Sequence, residues 1–260
     1  MDLGLKGKRA LVMGASRGIG RGIARILAAE GCDLVLAARN VGRLDSDAVA
    51  LKAANGVAIE ARRLDLGDPE SVAAMADLLA ADGVDVLINN GGGPPPTGAL
   101  GVASEQWRRY FESMVVGIIA LTDAAVPPMR RRKWGRVLTI ASSGVVQPIP
   151  TLGMSNTLRS SLVAYSKTLA GEVAGDGITA NVILPGRIDT ERVDELDTKA
   201  AQSRGVDIDE VRRQAAASIP AGRYGTVEEF ASTAVFLVSE PAGYVTGHVM
   251  RVDGGMIRSI

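Results

Sequence analysis

Short apolar runs alternate with longer amphipathic stretches along nearly the whole chain, and no other feature restricts the possible folds as strongly. Several runs are apolar throughout, as expected for strands covered by helices on both faces. They predict strands at about 9–13, 33–38, 57–61, 84–88, 136–141, 179–184 and 248–252. Helical patterns lie at about 19–30, 69–81, 104–131, 152–174 and 226–238. This order predicts one α/β domain over residues 1–260, with a doubly wound parallel sheet.

The composition excludes several classes of protein. The 29 Lys and Arg residues balance 29 Asp and Glu residues, which argues against nucleic acid or an acidic ligand as the main partner. Cys32 is the single cysteine and cannot form an internal disulfide, and a single histidine, His248, argues against a multi-histidine metal site. The N-terminus lacks an apolar signal segment, and no run reaches about 18 apolar residues. We expect a cytoplasmic protein without a metal or a membrane partner.

Residues 187–222 interrupt the alternation with a polar, charge-rich segment between a strand and the last helix. An insertion at this point falls at the carboxyl edge of the sheet, where open α/β folds bind their ligands. Two interpretations remain open, a solvated pair of surface helices and a lid over a substrate. We favour the lid.

A glycine-rich loop directly follows the first strand and leads into the first helix. Its spacing lets the chain leave the strand tightly, approach a pyrophosphate closely and pack the helix against the sheet. The free N–H groups and positive dipole at the helix start would then hold the anion. The residues predicted to bind are Gly14, Ser16, Arg17, Gly18, Ile19 and Gly20.

The end of the second strand predicts which nicotinamide cofactor is accepted. A carboxylate there would bind a ribose 2′-hydroxyl, whereas an arginine accommodates a 2′-phosphate. This strand is followed by Arg39 and Asn40 and offers no carboxylate, and Arg17 in the glycine loop adds a second cation. Two guanidinium groups can give charge-assisted bonds to one phosphate. The sequence therefore favours NADP(H) over NAD(H).

The chain resembles the short-chain dehydrogenase/reductase family, and within it the 3-oxoacyl-acyl-carrier-protein reductases, over nearly its full length. The matching motifs are Gly14-x3-Gly18-x-Gly20, Asp65-Leu66, Asn89-Asn90-Gly91-Gly92, Ser142-Ser143-Gly144, Asn181-x3-Pro185-Gly186 and Val252-Asp253-Gly254-Gly255. The resemblance implies a Rossmann-like sheet of seven strands, a nicotinamide cofactor and a homo-oligomer, usually a tetramer. It also implies that Asp65 and Leu66 contact the adenine. Asn90, Gly91 and Gly92 would contact the ribose and backbone, and the nicotinamide pocket would be lined by Pro185, Gly186, Ile188 and Thr190.

Three of the four catalytic positions of the family carry other residues in this chain. The family uses Asn, Ser, Tyr and Lys, with the last two in a Tyr-x3-Lys pattern. Counting along the motifs places these four positions at Met114, Ser142, Ser155 and Arg159, so only the serine is kept. Tyr165 lies ten residues beyond Ser155 on the same predicted helix, which is about 15 Å along the helix axis and about 80° around it. Its helical spacing with apolar neighbours is more typical of a packing residue.

Two main hypotheses follow for the function. In the first, the protein is an NADP(H)-dependent oxidoreductase acting on a carbonyl or alcohol substrate, with Ser142, Ser155 and Arg159 as its catalytic residues. In the second, the protein binds the cofactor but has impaired catalysis and acts as a sensor or partner subunit. A third hypothesis, nucleic-acid binding, would depend only on the basic run at residues 130–133. Cations at a helix C-terminus explain that run more simply.

Overall fold

The computed structural model describes residues 1–259 and contains one parallel sheet of seven strands in the order β3-β2-β1-β4-β5-β6-β7. All the paired strands run in the same direction, as predicted from the alternation of strands and helices. The strands are β1 (Arg9–Met13), β2 (Asp33–Ala38), β3 (Ile59–Arg63), β4 (Val86–Asn89), β5 (Gly135–Ile140), β6 (Ile178–Pro185) and β7 (Val249–Val252). The predicted fold class is confirmed.

Helices cover both faces of this sheet. They are α1 (Gly18–Ala29), α2 (Val41–Asn55), α3 (Pro69–Ala81), α4 (Ser104–Phe111), α5 (Gly117–Arg132), α6 (Gly153–Val173), α7 (Glu191–Arg204), α8 (Ile208–Ala217) and α9 (Val227–Leu237). One apolar core lies under α1, α2 and α9, and a second lies under α3, α5 and α6. Successive residues of a strand point into different cores, as Val12 and Met13 do. This two-sided burial explains why the strands read as uninterrupted apolar runs.

The predictions fail for two elements at the β3 edge of the sheet. Strand β3 extends two residues beyond the predicted run, because Arg62 and Arg63 pair with β2 although their side chains are exposed. Helix α2 was missed altogether. It buries a single residue, Leu44, so it lacks the apolar face on which the helix predictions depended.

The predicted helix at 104–131 is a continuous helical segment with an irregular centre. A π-helical turn at Glu112–Val116 joins α4 to α5. By length and composition, Ser104–Arg132 is the one helix within residues 1–259 that could cross a membrane. Its apolar side chains Leu121, Ala125 and Met129 are buried in the core beneath α5, which makes it a core helix of this domain.

The segment 187–222 forms the helix pair α7 and α8. A buried carboxylate, Asp197, accepts hydrogen bonds from Arg187 and from the Tyr224 hydroxyl, the latter at 2.9 Å. Arg212 of α8 pairs with Asp194 of α7, so polar contacts hold the two helices together. Thr190 caps α7 by accepting a hydrogen bond from the Val193 N–H at 3.4 Å. The segment is therefore an ordered unit at the carboxyl edge.

Strands β1 and β4 are adjacent inside the sheet. From β1 the successive strands β2 and β3 are added toward one edge, and from β4 the successive strands β5, β6 and β7 are added toward the other edge, so the strand order reverses between β1 and β4. In open α/β folds, a crevice for ligands lies at the carboxyl ends of the strands at such a switch point. The loops that follow β1 and β4 contain Gly14 and Asn90, respectively. The topology thus brings together two of the motifs identified in the sequence.

Candidate active site

The glycine loop has the tight geometry that its spacing predicts. Gly14 and Gly18 adopt positive φ angles of 62° and 52°, a region that favours glycine. A Cβ atom on Gly20 would lie 2.3 Å from the Gly14 carbonyl oxygen, so the start of α1 packs directly on the loop. Ser16 and Ile19 belong to the same turn, and the start of α1 directs its free N–H groups to the carboxyl edge.

Residues after β3 and β4 surround this loop. The Asn90 side-chain nitrogen lies 2.8 Å from the positions that Cβ atoms on Gly14 and Gly20 would occupy. A Cβ on Gly91 would touch Leu66 at 3.3 Å, whereas one on Gly92 would have nothing within 4 Å. Asp65 accepts a hydrogen bond from the Gly67 N–H at 3.0 Å, which fixes its carboxylate after β3. These residues therefore share one edge with the glycine loop.

The serines of the candidate site lie on two elements. Ser142 follows β5, and its hydroxyl oxygen accepts a hydrogen bond from the Gly144 N–H at 3.2 Å. The hydroxyl proton of Ser142 is thus free to be donated to another group. Ser155 is buried in the first turn of α6. Met114, in the π-helical turn, packs with Met154 and Leu158 on either side of Ser155 in the sequence.

The guanidinium group of Arg159 lies at the carboxyl edge of the sheet. It donates hydrogen bonds to the Ile140 carbonyl at 3.0 Å and to the Gly91 carbonyl at 3.2 Å. Within residues 1–259, no carboxylate lies within salt-bridge distance of it. Desolvation, with a smaller contribution from Arg192, lowers the pKa of Arg159 to about 10, so it remains a cation at neutral pH. Both hydrogen bonds of this cation go to neutral backbone carbonyls, so its charge is not balanced by them.

Tyr165 and Lys167 lie away from this edge. The Tyr165 hydroxyl donates to Asp123 of α5 at 3.4 Å, and its ring packs against the core beneath α5. Desolvation and the Asp123 carboxylate raise the pKa of Tyr165 above its usual range, which makes it a weaker acid. Lys167 donates to the Gly247 carbonyl at 3.1 Å, ahead of β7 and at the amino edge of the sheet.

Four residues predicted for the nicotinamide pocket lie at the end of β6 and directly after it. Pro185 ends the strand, and the Gly186 N–H donates to the Val252 carbonyl at 2.9 Å. Ile188 is buried in the core beneath α1 and α9, so its side chain does not face the edge. The Thr190 methyl lies 3.4 Å from the position of a Cβ on Gly18, which brings the start of α7 against the glycine loop.

Carboxylates occupy the side of the site where the sequence predicts a 2′-phosphate. Arg17 Nη1 lies 2.8 Å from Glu195 Oε1 and 3.4 Å from Glu191 Oε2, both in α7. Arg43 Nη1 lies 3.6 Å from the same Glu191 oxygen. Arg39 and Asn40 are exposed after β2. Sequence reasoning missed Arg43 and the two glutamates, because the glutamates contact Arg17 only through the folding of a distant segment.

Two further features of the sequence have structural explanations. In the basic run, Arg130 pairs with Asp176 at 3.0 Å, Arg132 with Asp85 at 3.0 Å and Lys133 with Asp176 at 2.6 Å. Two carboxylates, Asp85 and Asp176, therefore pair with three of the four cations of the run. Among the described residues, no group of three or more His, Cys, Asp or Glu side chains could hold a metal ion.

Comparison with known proteins gives consistent matches over almost the whole chain. A family model described as Enoyl-(Acyl carrier protein) reductase matches residues 14–257. The chain is 34% identical to the 3-oxoacyl-(acyl-carrier-protein) reductase FabG of Escherichia coli over 258 residues, or 98% of this chain and 99% of that protein.

Solved structures give the same result. The structure of L-sorbose reductase from Gluconobacter frateurii, complexed with NADPH and L-sorbose, matches with a TM-score of 0.94 and 36% identity and covers 100% of both chains. The structure of YwfH, an NADPH dependent reductase involved in bacilysin biosynthesis, matches with a TM-score of 0.93 and 29% identity. It covers 98% of this chain and 100% of YwfH.

The parallel sheet, the switch point and the glycine loop at the start of α1 define a dinucleotide-binding protein of the Rossmann type. The matches to whole-length relatives specify the group within that class. The chain belongs to the short-chain dehydrogenase/reductase family, as its motifs predicted.

Proposed function

We propose that this protein is an NADP(H)-dependent oxidoreductase that interconverts a carbonyl and an alcohol. The observation that carries this proposal is the position of Arg159 at the carboxyl edge. Its guanidinium donates hydrogen bonds to the Gly91 carbonyl, just after β4, and to the Ile140 carbonyl, at the end of β5. Ser142 lies two residues after Ile140, and Ser155 lies one helical turn before Arg159 on α6. A cation and two hydroxyl groups beside a nucleotide loop are suited to binding and polarising a substrate oxygen.

The residues present fit a dinucleotide. The positive φ angles of Gly14 and Gly18 make the loop tight, and Gly20 has no Cβ that would clash with the Gly14 carbonyl oxygen. The free N–H groups at the start of α1 can therefore approach a pyrophosphate. In this proposal Ser16, Arg17 and Ile19 complete the pyrophosphate loop. Asp65 and Leu66 hold the adenine, and Asn90, Gly91 and Gly92 hold the ribose. The nicotinamide side is assigned to Pro185, Gly186 and Thr190 and to the backbone of Ile188, whose side chain lies in the core. Arg159 also binds the adjacent ribose. The bound cofactor would supply or accept a hydride.

The preference for NADP(H) is supported by the charges around the adenosine end. No carboxylate follows β2, where one would favour NAD(H), and Arg17, Arg39 and Arg43 supply cations. The L-sorbose reductase structure is a complex with NADPH, and YwfH is an NADPH dependent reductase. Comparable affinities of this chain for NADPH and NADH would contradict the preference.

We infer that the catalytic tetrad of the family is represented here by Met114, Ser142, Ser155 and Arg159. Ser142 donates a hydrogen bond to the substrate oxygen, and Arg159 stabilises the negative charge that develops there. Arginine cannot pass a proton through a neutral form as lysine can. The proton therefore comes from Ser155 through water, from the segment 187–222, or from the substrate.

One observation favours the alternative, a cofactor-binding protein with impaired catalysis. Met114 and its apolar neighbours Met154 and Leu158 pack beside Ser155, so the polar group that the family has at position 114 is missing. Such a protein would bind NADPH without oxidising it and act as a sensor or partner subunit. Binding without turnover would support this alternative.

The proposal also covers the segment 187–222, the oligomeric state and the cellular location. Residues 187–222 are assigned as a lid over the substrate within a single domain, because Thr190 contacts the glycine loop and α7 borders the carboxyl edge. A homo-oligomer, a tetramer or dimer, and a cytoplasmic location remain predictions from the sequence.

The function is tested by measuring NADPH oxidation in the steady state against a panel of ketones, β-ketoacyl thioesters and quinones. An enoyl thioester belongs in the panel because of the description of the matching family model. We expect oxidation of NADPH with a subset of the carbonyl compounds, and a loss of that activity in Ser142→Ala. NADPH binding without turnover on any compound would replace the proposal with its alternative.

The pH dependence of this reaction distinguishes the proposed tetrad from a tyrosine-based one. Serine hydroxyls do not titrate near neutral pH, and Arg159 loses its proton only near its pKa of about 10. We expect kcat/KM to be nearly flat between about pH 6.5 and 9 and to decline above that range, where the cation is lost. NADPH affinity is measured at each pH to separate binding from chemistry. A titration between pH 7 and 9 in kcat/KM alone would indicate a conventional acid at the reacting atoms and would contradict proton delivery from Ser155 through water.

A further inference from the structure

Two arginines from different elements converge on one carboxylate oxygen. Glu191 Oε2, in the first turn of α7, lies 3.4 Å from Arg17 Nη1 and 3.6 Å from Arg43 Nη1. Arg17 directly precedes α1, and Arg43 lies in the first turn of α2, immediately after β2. A negatively charged oxygen is therefore held between the glycine loop and the end of β2. In this fold, that region receives the substituent on the adenosine ribose.

A phosphate group would satisfy this pair of arginines better than a carboxylate. It carries a charge of about −1.5 to −2 at neutral pH and presents three acceptor oxygens, and guanidinium groups bind it in bidentate geometry. Glu191 offers one negative charge, and the same oxygen serves both arginines. The carboxylate thus occupies a place whose donors suit a larger, more highly charged anion.

We propose that Arg17 and Arg43 together bind the 2′-phosphate of NADP(H), and that Glu191 competes with that phosphate for the same two guanidinium groups. Glu191 is then a specificity-determining residue that selectively weakens the binding of the phosphorylated cofactor. This inference rests on the proposed function, because it requires a cofactor with a 2′-phosphate. It adds Arg43 and Glu191 to the residues that the sequence had assigned to cofactor choice.

The surrounding contacts explain why a bound phosphate would cost Glu191 more than Glu195, although Glu195 lies closer to Arg17, at 2.8 Å. Glu195 also pairs with Arg192 at 3.3 Å, so it keeps a partner when Arg17 turns to a phosphate. In the part of the chain that the structure describes, Glu191 has only Arg17 and Arg43 as salt-bridge partners. A cleft of about 220 Å³ borders Glu191 and is also lined by Arg21, Asp189 and Glu228. The displaced carboxylate can turn into this open cleft.

The solvent exposure of these three side chains limits how much Glu191 can lower the affinity for the phosphorylated cofactor. The side chains of Arg17, Arg43 and Glu191 are 41%, 61% and 56% exposed, and exposed ion pairs contribute little because water screens them. Glu191 therefore lowers the affinity for the phosphorylated cofactor by about two- to fivefold rather than blocking it. The loss of an arginine that binds the phosphate has a larger effect, about five- to tenfold.

The test compares the affinities of NADPH and NADH, measured by fluorescence titration of the full-length protein. We expect Glu191→Gln to tighten NADPH binding about two- to fivefold and to leave NADH binding unchanged. Arg43→Ala should weaken NADPH binding about five- to tenfold, again without a change for NADH. Glu228→Gln is the matched control, because Glu228 lines the same cleft without contacting Arg17 or Arg43. Its affinity for both cofactors should equal that of the wild type.

A second measurement, amide hydrogen exchange, reports on the first turn of α7, where Glu191 lies. Adenosine 2′,5′-bisphosphate carries the phosphate in question, whereas adenosine 5′-monophosphate does not. Hydrogen exchange of the first-turn amides of α7 should rise with the bisphosphate relative to the monophosphate in the wild type, and this difference should disappear in Glu191→Gln.

Three outcomes overturn the inference while NADPH still binds. In the first, Glu191→Gln leaves the ratio of NADPH to NADH affinity unchanged. In the second, Arg43→Ala weakens both cofactors equally, and in the third, the bisphosphate leaves exchange in α7 unaltered. If the wild-type protein binds neither cofactor, the proposed function fails instead, so the two failures are distinguishable.

Discussion

Arg159→Met is expected to lower the single-turnover rate of NADPH oxidation about 100- to 1000-fold, the usual effect of removing one electrostatic group from the developing oxyanion. Methionine keeps much of the length of the side chain but has neither charge nor donors. The Ile140 and Gly91 carbonyls also lose the hydrogen bonds that they accept from the guanidinium. The buried Ile140 carbonyl should cost about 1–3 kcal/mol of folding stability, and the half-buried Gly91 carbonyl should cost less. Stopped-flow kinetics and thermal unfolding measure the two effects separately.

Two further variants test whether the charge at position 159, and not the Tyr165 hydroxyl, accounts for the loss of rate. Arg159→Lys keeps the charge and one point of donation, so its rate should lie within about tenfold of the wild-type rate. Tyr165→Phe removes the hydroxyl bonded to Asp123 and should change the rate less than about twofold, because that hydroxyl lies away from the carboxyl edge. Normal turnover in Arg159→Met, or abolished turnover in Tyr165→Phe, would contradict the proposed roles.

Gly20→Ala is expected to reduce NADPH affinity by about 100-fold or more. The new methyl carbon would lie 2.3 Å from the Gly14 carbonyl oxygen and 2.8 Å from the Asn90 side-chain nitrogen, so the backbone of the loop must move. Loss of two charge-assisted bonds to the pyrophosphate accounts for an effect of that size. Overpacking should also destabilise the fold by about 1–3 kcal/mol. Fluorescence titration and thermal unfolding give the two quantities.

Gly171→Ala is the matched control for this substitution. Gly171 lies in α6, and a Cβ there would meet nothing within 4 Å. Alanine at an exposed helical position should stabilise the protein by about 0.5–1 kcal/mol and leave NADPH binding unchanged. Wild-type affinity in Gly20→Ala would mean that the glycine loop does not hold the pyrophosphate.

The sequence was sufficient for most of the fold because both sheet faces are buried. The strands that lie under helices gave apolar runs, and β1 and β2 were predicted at their observed bounds. Prediction failed where burial is weak. Strand β3 ends in exposed arginines, and α2 buries only Leu44, so neither element shows the pattern by which the others were recognised.

The candidate site could be predicted only in part. Motif spacing located Gly14, Ser142 and Arg159, and the structure places all three at the carboxyl edge of the sheet. It could not reveal that Arg159 would donate to two backbone carbonyls or that Arg17 would meet Glu191 and Glu195. Those contacts join segments far apart in the chain, and no local pattern encodes them.

The central claim, that positions 155 and 159 face the reacting end of the cofactor, is tested most directly by a crystal structure with bound NADP⁺. We expect the hydride-accepting carbon of the nicotinamide beside the Ser142 and Ser155 hydroxyl groups, with room for a substrate atom about 3–3.5 Å from that carbon. The Arg159 guanidinium should contact the adjacent ribose. A nicotinamide ring stacked near the Tyr165 hydroxyl, with Ser155 and Arg159 remote from it, would contradict this account.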